Sequence, residues 1–306
     1  MPLDPVAQAW MEQVQASGVA PMHTMTAEEA RLARPNPPPG PDVHRVEDMQ
    51  AAGPDGPVPL RVYWPGAQTG LPVLVWYHGG GWVIGDLETA DATARRLCNL
   101  AECIVISVDY RRAPEHPHPA AVDDAYAVVV WAAQNASRFG GDAERIAVGG
   151  DSAGGTLAAV VAQLVRDRGG PALRRQLLVY PVTDCAAQSA SYVENAEAGT
   201  LTPDAMAWFI DHYCPEGIDR AQPSVSPARA ASLEGLAPAF VITAEYDPLR
   251  DEGNAYGEAL RVAGVPVDAE CYAGQIHGFF NNAHAFPAGM RAVEAAAADL
   301  KQAFEG

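Results

Sequence analysis

The feature that most constrains the fold of this chain is a repeated alternation of short apolar runs with longer amphipathic stretches. Each run has four to six residues, many of them Val, Ile or Leu, which is typical of strands buried on both faces of a parallel sheet. Because strands separated by helices favour a parallel sheet covered on both sides, we predict an α/β fold. The runs are residues 73–77, 103–108, 146–149, 177–180 and 240–243.

Helical stretches separate the predicted strands, and a hairpin precedes them. Residues 43–49 and 58–64 are strand-like, with a turn between Gly53 and Gly56, so we expect an antiparallel edge on a mostly parallel sheet. Helices are expected on both faces of this sheet. They are predicted at residues 90–101, 121–135, 153–168 and 250–263, followed by a last strand at 267–272 and a closing helix at 288–304.

The N-terminal region lies outside this alternation. Its apolar spacing predicts a helix over residues 4–17. Thr26 and Glu29 form a capping-box pattern, which predicts a second helix that runs through Arg34. The Pro-rich run 35–42 then follows as a linker, because proline cannot continue a helix.

A second segment, residues 184–217, interrupts the alternation within the sheet region and carries several large apolar side chains. Open α/β sheets bind ligands at the carboxyl ends of their strands. We therefore expect residues 1–45 and 184–217 to form a helical cap over those ends. Residues 46–183 and 218–306 are expected to form the catalytic core of a single domain.

The composition excludes several classes of partner. The chain has 306 residues, a formal net charge of −18 and no basic run longer than two residues, so we expect neither nucleic acids nor membranes as partners. Its five cysteines form no C-x-x-C motif, which argues against a disulfide framework and a zinc site. No signal-peptide pattern or membrane-spanning apolar stretch occurs, so we expect a cytoplasmic protein.

The pentapeptide Gly150-Asp-Ser-Ala-Gly154 fits the G-x-S-x-G pattern and lies between a predicted strand and a predicted helix. Strand, sharp turn and helix are the context of a nucleophile elbow. The flanking glycines relieve crowding at the turn, and the helix N-terminus favours a developing negative charge. Ser152 is therefore the candidate nucleophile, and a glycine-rich turn with an idle serine is the alternative.

A second glycine-rich loop, His78-Gly-Gly-Gly-Trp82, follows directly after a predicted buried strand. Acyl transfer places negative charge on the former carbonyl oxygen, and backbone N–H groups must already point at that position. Glycines allow the chain to pass close to the oxygen. We assign the N–H groups of Gly80 and Gly81 as donors, with that of Ala153 as a third; a simple flexible turn is the alternative.

An acid and a base are expected after the nucleophile, in the order Ser, Asp or Glu, then His. Asp247 follows the predicted strand 240–243 and is the candidate acid, whereas Asp251 is better placed to cap the next helix. His277 follows the last predicted strand and is the candidate base, whereas His284 lies in a polar stretch that is expected at the surface. Three further histidines are not expected in the site: His116, His118 and His212.

These motifs resemble those of the hormone-sensitive-lipase-like carboxylesterases, the bacterial family IV esterases of the α/β-hydrolase superfamily. The resemblance extends from about residue 58 to the end and implies the α/β-hydrolase fold, with the same nucleophile, acid, base and three oxyanion donors as assigned above. Arg112 and His118 depart from it, since apolar residues are expected there. The motifs are HGGGW at 78–82, DYRRAPEHPHPAAVDDA at 109–125, GDSAGG at 150–155, DPLRDEG at 247–253 and HGF at 277–279.

We therefore expect a carboxylesterase that hydrolyses short-to-medium acyl esters through an acyl-enzyme, with no cofactor and no metal. Its partner would be a small-molecule ester, and a homodimer is possible. An amidase or arylformamidase with the same triad is an alternative. A non-catalytic small-ligand receptor is less favoured, because all three triad residues are present. The candidate pocket residues are Trp82, Asp151, Leu201, Trp208 and Phe279.

Overall fold

A computed structural model describes residues 2–33 and 36–306, and its described strands form a single sheet of eight. The strands are β1 (Arg45–Gly53), β2 (Gly56–Trp64), β3 (Leu71–Tyr77), β4 (Ile104–Val108), β5 (Gly141–Asp151), β6 (Leu173–Val179), β7 (Ala239–Tyr246) and β8 (Val267–Ile276). Their order across the sheet is β1-β2-β4-β3-β5-β6-β7-β8. The predicted α/β fold is confirmed.

The leading hairpin is the antiparallel edge of the sheet, as predicted. β1 pairs with β2 from Gly53 opposite Gly56 to Arg45 opposite Trp64, and β2 pairs antiparallel with β4. The remaining neighbours pair in parallel. The first strand was predicted at 43–49 but extends to Gly53, because pairing with β2 keeps a weakly strand-forming Gln-Ala-Ala segment in the ladder.

The described α-helices occupy the positions expected between the strands. They are α1 (Pro5–Ala16), α2 (Ala27–Leu32), α3 (Leu87–Ala101), α4 (Ala120–Asn135), α5 (Ala153–Arg168), α6 (Ala190–Glu194), α7 (Pro203–Tyr213), α8 (Arg250–Val262) and α9 (Pro287–Glu305). The predicted boundaries of the five sheet-covering helices differ from these by at most three residues.

Alternate side chains of the central strand β3 enter two different cores, one on each face of the sheet. Val73 and Val75 belong to a core that also contains residues of α4, α5 and α8. Leu74 and Trp76 pack with residues of α3 and α9. All four side chains are fully buried, and each such burial contributes roughly 1.5–3 kcal/mol. The apolar run of β3 shows no alternation with polar residues because side chains on both faces of the sheet are buried.

The two N-terminal helices both begin at a capping side chain. The side chain of Asp4 accepts a hydrogen bond from the first turn of α1, and its backbone N–H donates to the carbonyl of Gly274 at 2.9 Å, which ties α1 to β8. Thr26 and Glu29 form the reciprocal capping box of α2. The predicted end of this helix at Arg34, and the first residue of the linker, lie outside the described residues.

The N-terminal region and the inserted segment meet in the structure. α7 contacts a short 3-10 helix at Met22–Thr24. α6 is bound to the first turn of α8, where Asp251 accepts a hydrogen bond from the N–H of Ser191 at 2.9 Å. Asp251 lies in the first turn of α8 rather than at its N-cap, so its predicted capping role is wrong. That both segments act as one cap stays a prediction.

Glu252 of α8 is a buried carboxyl group that links this helix to the chain after β6. Its Oε1 accepts hydrogen bonds from the N–H groups of Thr183 at 2.7 Å and Asp184 at 3.4 Å. Burial, as the largest cause, raises the pKa of Glu252 to about 8, although these two hydrogen bonds oppose the shift. The carboxyl group is therefore mostly protonated in the folded protein at neutral pH.

This raised pKa predicts a specific loss of stability with rising pH. Between the ordinary value of 4.5 and about 8, the unfolded chain loses the Glu252 proton while the folded protein keeps it, so the free energy of unfolding falls. Glu252→Gln retains an acceptor but cannot ionise. We expect its Tm, measured by circular dichroism, to rise relative to the wild type as the pH increases from 5 to 8. The control is Glu258→Gln, which changes an exposed residue of the same helix. If Tm depends on pH in the same way in Glu252→Gln and the wild type, the raised pKa of Glu252 is contradicted.

Candidate active site

Ser152 lies at the sharp turn between β5 and α5, in a left-handed conformation with φ of 54°. Its backbone N–H donates to the carbonyl of Val179 at 2.8 Å. A Cβ at Gly150 would lie 2.3 Å from the carbonyl oxygen of Gly154, and a Cβ at Gly154 would lie 1.9 Å from that of Tyr77. Glycine is therefore required on both sides of the serine, and the close approach holds Ser152 at the carboxyl end of the sheet.

The structure brings Ser152, His277 and Asp247 together in one hydrogen-bonded chain. His277 Nε2 lies 3.1 Å from Ser152 Oγ, and His277 Nδ1 lies 2.7 Å from Asp247 Oδ2. The other oxygen of Asp247 accepts the N–H of Leu249 at 2.9 Å. Because the carboxylate accepts a hydrogen bond from Nδ1–H, it favours the imidazole tautomer with its proton on Nδ1. Nε2 is then free to accept the hydroxyl proton of Ser152. This arrangement can therefore generate a serine nucleophile.

Burial and packing fix the histidine in this chain. Asp247 is fully buried, while the side chain of His277 is 14% exposed and Ser152 is 7% exposed. The Tyr180 ring packs at 4.5 Å from the imidazole, centre to centre. The carboxylate is thus shielded from water, and the serine and histidine present a small accessible surface.

The glycine loop after β3 is held in an unusual backbone conformation. Gly80, Gly81 and Trp82 all have left-handed φ values, of 116°, 58° and 60°. The N–H of Ile84 donates to the carbonyl of Gly80 at 2.9 Å and closes the turn. Ala153 is the first residue of α5, where helix N–H groups have no partner within the helix. Each predicted donor is therefore on a backbone segment of constrained geometry.

His78 supports the same loop from within the protein. Its Nδ1 lies 2.8 Å from the carbonyl oxygen of Gly79, and the Tyr110 hydroxyl donates to the carbonyl of His78 at 2.7 Å. The two rings stack at 4.3 Å. Burial lowers the pKa of His78 to about 4, so the ring is neutral at physiological pH and supports the loop without adding charge.

Asp151, the residue before the serine, is a buried carboxylate directed at two neighbouring segments. Its Oδ1 accepts the N–H of Gly79 at 3.0 Å, and its Oδ2 accepts the side-chain amide of Asn281. Burial, the largest cause, raises the pKa of Asp151 to about 6. Asn281 was missed by sequence reasoning; its only signal is a polar residue shortly after the His277 motif.

Three of the predicted pocket residues do not lie on an accessible surface. Trp82 is fully buried and stacks on Tyr213 at 4.2 Å. Phe279 is also fully buried, between Tyr180 and Tyr272. Asp151 is 4% exposed and engaged in the contacts above. In this structure protein atoms cover these three side chains, and their contact with a substrate stays a prediction.

The other two predicted pocket residues lie on the inserted segment. Leu201 precedes α7 and is 8% exposed, and Trp208 lies within α7, half-buried against Phe209 and His212. Their contact with a substrate stays a prediction. Sequence reasoning missed Phe209, whose ring occupies the space beside Gly81: a Cβ at that glycine would lie 2.2 Å from the ring. Only the tertiary fold reveals this contact.

The rival residues lie elsewhere. Exposed His284 contacts Trp10, His212 bonds to the carbonyl of Trp208 in its own helix, and His118 bonds to Ser224. In the described part of the chain, no group of three or more His, Cys, Asp or Glu side chains is arranged to hold a metal ion. No helix described here is both long and apolar enough to cross a membrane.

Comparison with known proteins supports the same fold. A family model described as the alpha/beta hydrolase fold matches residues 74–281. The carboxylic ester hydrolase LipN of Mycobacterium tuberculosis is 50% identical over 250 residues, which are 79% of this chain and 66% of LipN. The chain thus spans slightly less than two thirds of that relative. The carboxylesterase NlhH of the same organism is 47% identical over 266 residues, 85% of this chain and 83% of NlhH.

A solved structure matches over nearly the whole length. It is an ester hydrolase from the metagenome of Lake Arreo, complexed with a derivative of bipyridine phosphonate; its TM-score is 0.95 at 43% identity, over 99% of this chain and 100% of that one. Since the family model matches more than half of the residues, the chain belongs to the hormone-sensitive-lipase-like family of the α/β-hydrolase fold.

Proposed function

We propose that this protein is a carboxylesterase in which Ser152 is the nucleophile, His277 the base and Asp247 the acid. The observation that carries the proposal is the hydrogen-bonded chain from Ser152 Oγ through the imidazole to the buried carboxylate, at 3.1 and 2.7 Å. Its position at a nucleophile elbow, beside a glycine loop, supports acyl transfer. The names of the relatives, which are ester hydrolases and carboxylesterases, support the same activity.

Acylation follows from this geometry. His277 takes the hydroxyl proton as Ser152 attacks the ester carbonyl, and Asp247 holds the imidazole tautomer and stabilises the imidazolium. Negative charge then develops on the former carbonyl oxygen, where the N–H groups of Gly80, Gly81 and Ala153 would donate. Preorganised donors stabilise the transition state because they need no rearrangement as the charge appears.

Collapse of the first intermediate releases the alcohol and leaves an acyl-enzyme on Ser152. His277 protonates the departing alkoxide and then takes a proton from water, which attacks the acyl carbonyl. The second collapse returns the proton to Ser152 and frees the carboxylic acid. Each bond made or broken is accounted for by the side chains and water, so no cofactor is required.

The chain length of the acyl group is the finer part of the proposal. The small exposed area of Ser152 favours a compact substrate, and we propose short-to-medium acyl esters. The Phe209 ring beside Gly81 would form a wall next to the developing oxyanion. The N-terminal region and the inserted segment would together form the cap, in keeping with the contact of α7 with Met22–Thr24.

Two other functions are less well supported. An amidase would use the same residues, but LipN and NlhH are both named as enzymes that act on carboxylic esters, and no contact among the described residues of the site singles out an amine leaving group. A non-catalytic receptor does not require a Ser–His–Asp chain with hydrogen-bonding distances.

Replacing the nucleophile tests the proposal directly. Ser152→Ala removes the attacking oxygen, so we expect kcat for p-nitrophenyl butyrate to fall by about 10⁶-fold with the fold intact. A fluorophosphonate should label the wild type and exposed Ser232→Ala, but not Ser152→Ala. The proposal fails if Ser152→Ala hydrolyses the ester at a near-normal rate, or if the wild type neither reacts with the probe nor cleaves the ester.

Enlarging the site beside Gly81 tests the assignment of acyl size. Phe209→Ala removes a ring next to the proposed donors, so the ratio of kcat/KM for octanoate over acetate p-nitrophenyl esters should rise at least about tenfold. One or two buried methylenes already contribute roughly 1–3 kcal/mol of discrimination. Phe139→Ala, a buried aromatic truncation in a distant 3-10 helix, should leave the ratio unchanged. If the octanoate-to-acetate ratio of kcat/KM is the same in Phe209→Ala and the wild type, Phe209 does not line the site of the acyl group.

A further inference from the structure

Asp151 is a buried charged group that the proposed mechanism does not use. It is 4% exposed and lies between Gly150, which closes the elbow, and the nucleophile itself. Burying a carboxylate is costly unless hydrogen bonds compensate for the lost water. The partners of Asp151 therefore indicate what this carboxylate holds in place.

Both partners belong to other loops of the site. Oδ1 accepts the N–H of Gly79, at the start of the loop that carries Gly80 and Gly81, at 3.0 Å. Oδ2 accepts the side-chain amide of Asn281, four residues after His277. One carboxylate thus bonds to the glycine loop and to the histidine loop while its own backbone continues into Ser152.

Neighbouring residues leave space for both hydrogen bonds of Asp151 and orient one of its partners. A Cβ at Gly79 would lie 2.2 Å from Asp151 Oδ2, so a side chain there would displace the carboxylate. The Thr93 hydroxyl donates to Asn281 Oδ1 at 3.4 Å, which orients the amide with its NH₂ group towards Asp151. Hydrogen bonds with a charged acceptor are stronger and more directional than neutral ones.

We infer that Asp151 is a positioning residue that joins the glycine loop and the histidine loop to the nucleophile elbow and so sets the alignment of the oxyanion donors with Ser152 and His277. The inference depends on the proposed ester hydrolysis, since it assigns a role in that reaction. Asp151 touches no reacting atom in this scheme. It acts through Gly79 and Asn281, and misalignment of a site by about 1 Å can cost on the order of 10²-fold in rate.

Protonation of Asp151 should weaken the junction. The carboxylate accepts hydrogen bonds from the N–H of Gly79 and the amide of Asn281, and it interacts electrostatically with His277, Tyr110 and Tyr180. Burial raises the pKa of Asp151 to about 6, while the Asn281 and Gly79 hydrogen bonds and the charge of His277 oppose the shift. A protonated carboxyl group is a weaker acceptor for the Gly79 N–H and the Asn281 amide, so Asp151 must be ionised for full activity.

The test compares Asp151→Asn, Asn281→Ala and the exchanged pair Asp151→Asn/Asn281→Asp in the full chain. In the exchanged pair, the amide at 151 still accepts from Gly79 and donates to the carboxylate at 281. Asp299→Asn is the matched control, because Asp299 is a partly buried carboxylate on α9 that pairs with Arg175 away from the site. Tm, kcat and KM for p-nitrophenyl butyrate, and the pH dependence of kcat/KM, are measured for each protein.

We expect kcat to fall by about 10- to 10²-fold in Asp151→Asn and Asn281→Ala, with KM within about threefold of the wild type. The exchanged pair should recover most of the lost kcat, and Asp299→Asn should lower Tm without changing kcat. The acid limb of log kcat/KM should be steeper in the wild type than in Asp151→Asn, because the variant lacks the ionisation at position 151.

Three results would overturn the inference: a kcat within twofold of wild type in both single variants, an exchanged pair no more active than Asp151→Asn, or an acid limb of equal slope in Asp151→Asn and wild type. If Asp151→Asn does not fold, Asn281→Ala and the exchanged pair decide. Failure of the proposed function would be distinct, because the wild type itself would then neither cleave the ester nor react with a fluorophosphonate.

Discussion

The close approach of α5 to the end of β3 is the constraint on which the rest of the site depends. No side-chain atom fits between Gly154 and the carbonyl of Tyr77, where a Cβ would lie at 1.9 Å. The chain must therefore reverse within one residue, and Ser152 adopts a left-handed φ of 54° to do so. The strain is tolerated because the buried end of β5 and the buried start of α5 fix the two ends of the turn.

The parallel sheet turns this local constraint into a site. Since β3, β5, β7 and β8 run in the same direction, the segments that follow them meet at one edge, and they carry the glycine loop, Ser152, Asp247 and His277 respectively. Each segment of the expected cap is also bonded to one of these loops or to a neighbour of them. Arg31 of α2 donates to the carbonyl of Val83 at 2.8 Å, and Asn195 donates to that of Asp247 at 3.2 Å. Movement of either segment would therefore also displace residues of the site.

The sequence predicts those features of the candidate site that depend on local backbone structure or on chain order. It does not predict residues that reach the site only through tertiary contacts. The strand-turn-helix pattern around Ser152 and the order of acid and base are local or topological properties, so they can be read from the chain. Phe209 and Asn281 look like an ordinary helical aromatic and a loop amide until the fold brings them to Gly81 and Asp151. Asp251 was misjudged because its partner, Ser191, is 60 positions away in the sequence.

Three buried carboxyl groups near the site show how the protein accommodates acidic side chains in different ways. Asp247 accepts hydrogen bonds from His277 and Leu249, and in the proposed reaction it is paired with a group that becomes positive. Asp151 accepts from Gly79 and Asn281, and its pKa of about 6 keeps it mostly ionised at neutral pH. Glu252 has the weakest compensation, since its Oε2 has no partner among the described residues, and it remains protonated up to about pH 8.

These environments limit the pH range of the site from both sides. Below about pH 6 the Asp151 carboxyl group becomes protonated and the junction that it forms with Gly79 and Asn281 is weakened. Towards pH 8 the ionisation of Glu252 places a poorly compensated charge beneath the loop that leads into the inserted segment. The same low-dielectric interior that strengthens the Asp247–His277 contact makes every uncompensated charge costly. The pH range in which the site keeps its structure therefore depends on how completely each buried carboxyl group is hydrogen-bonded.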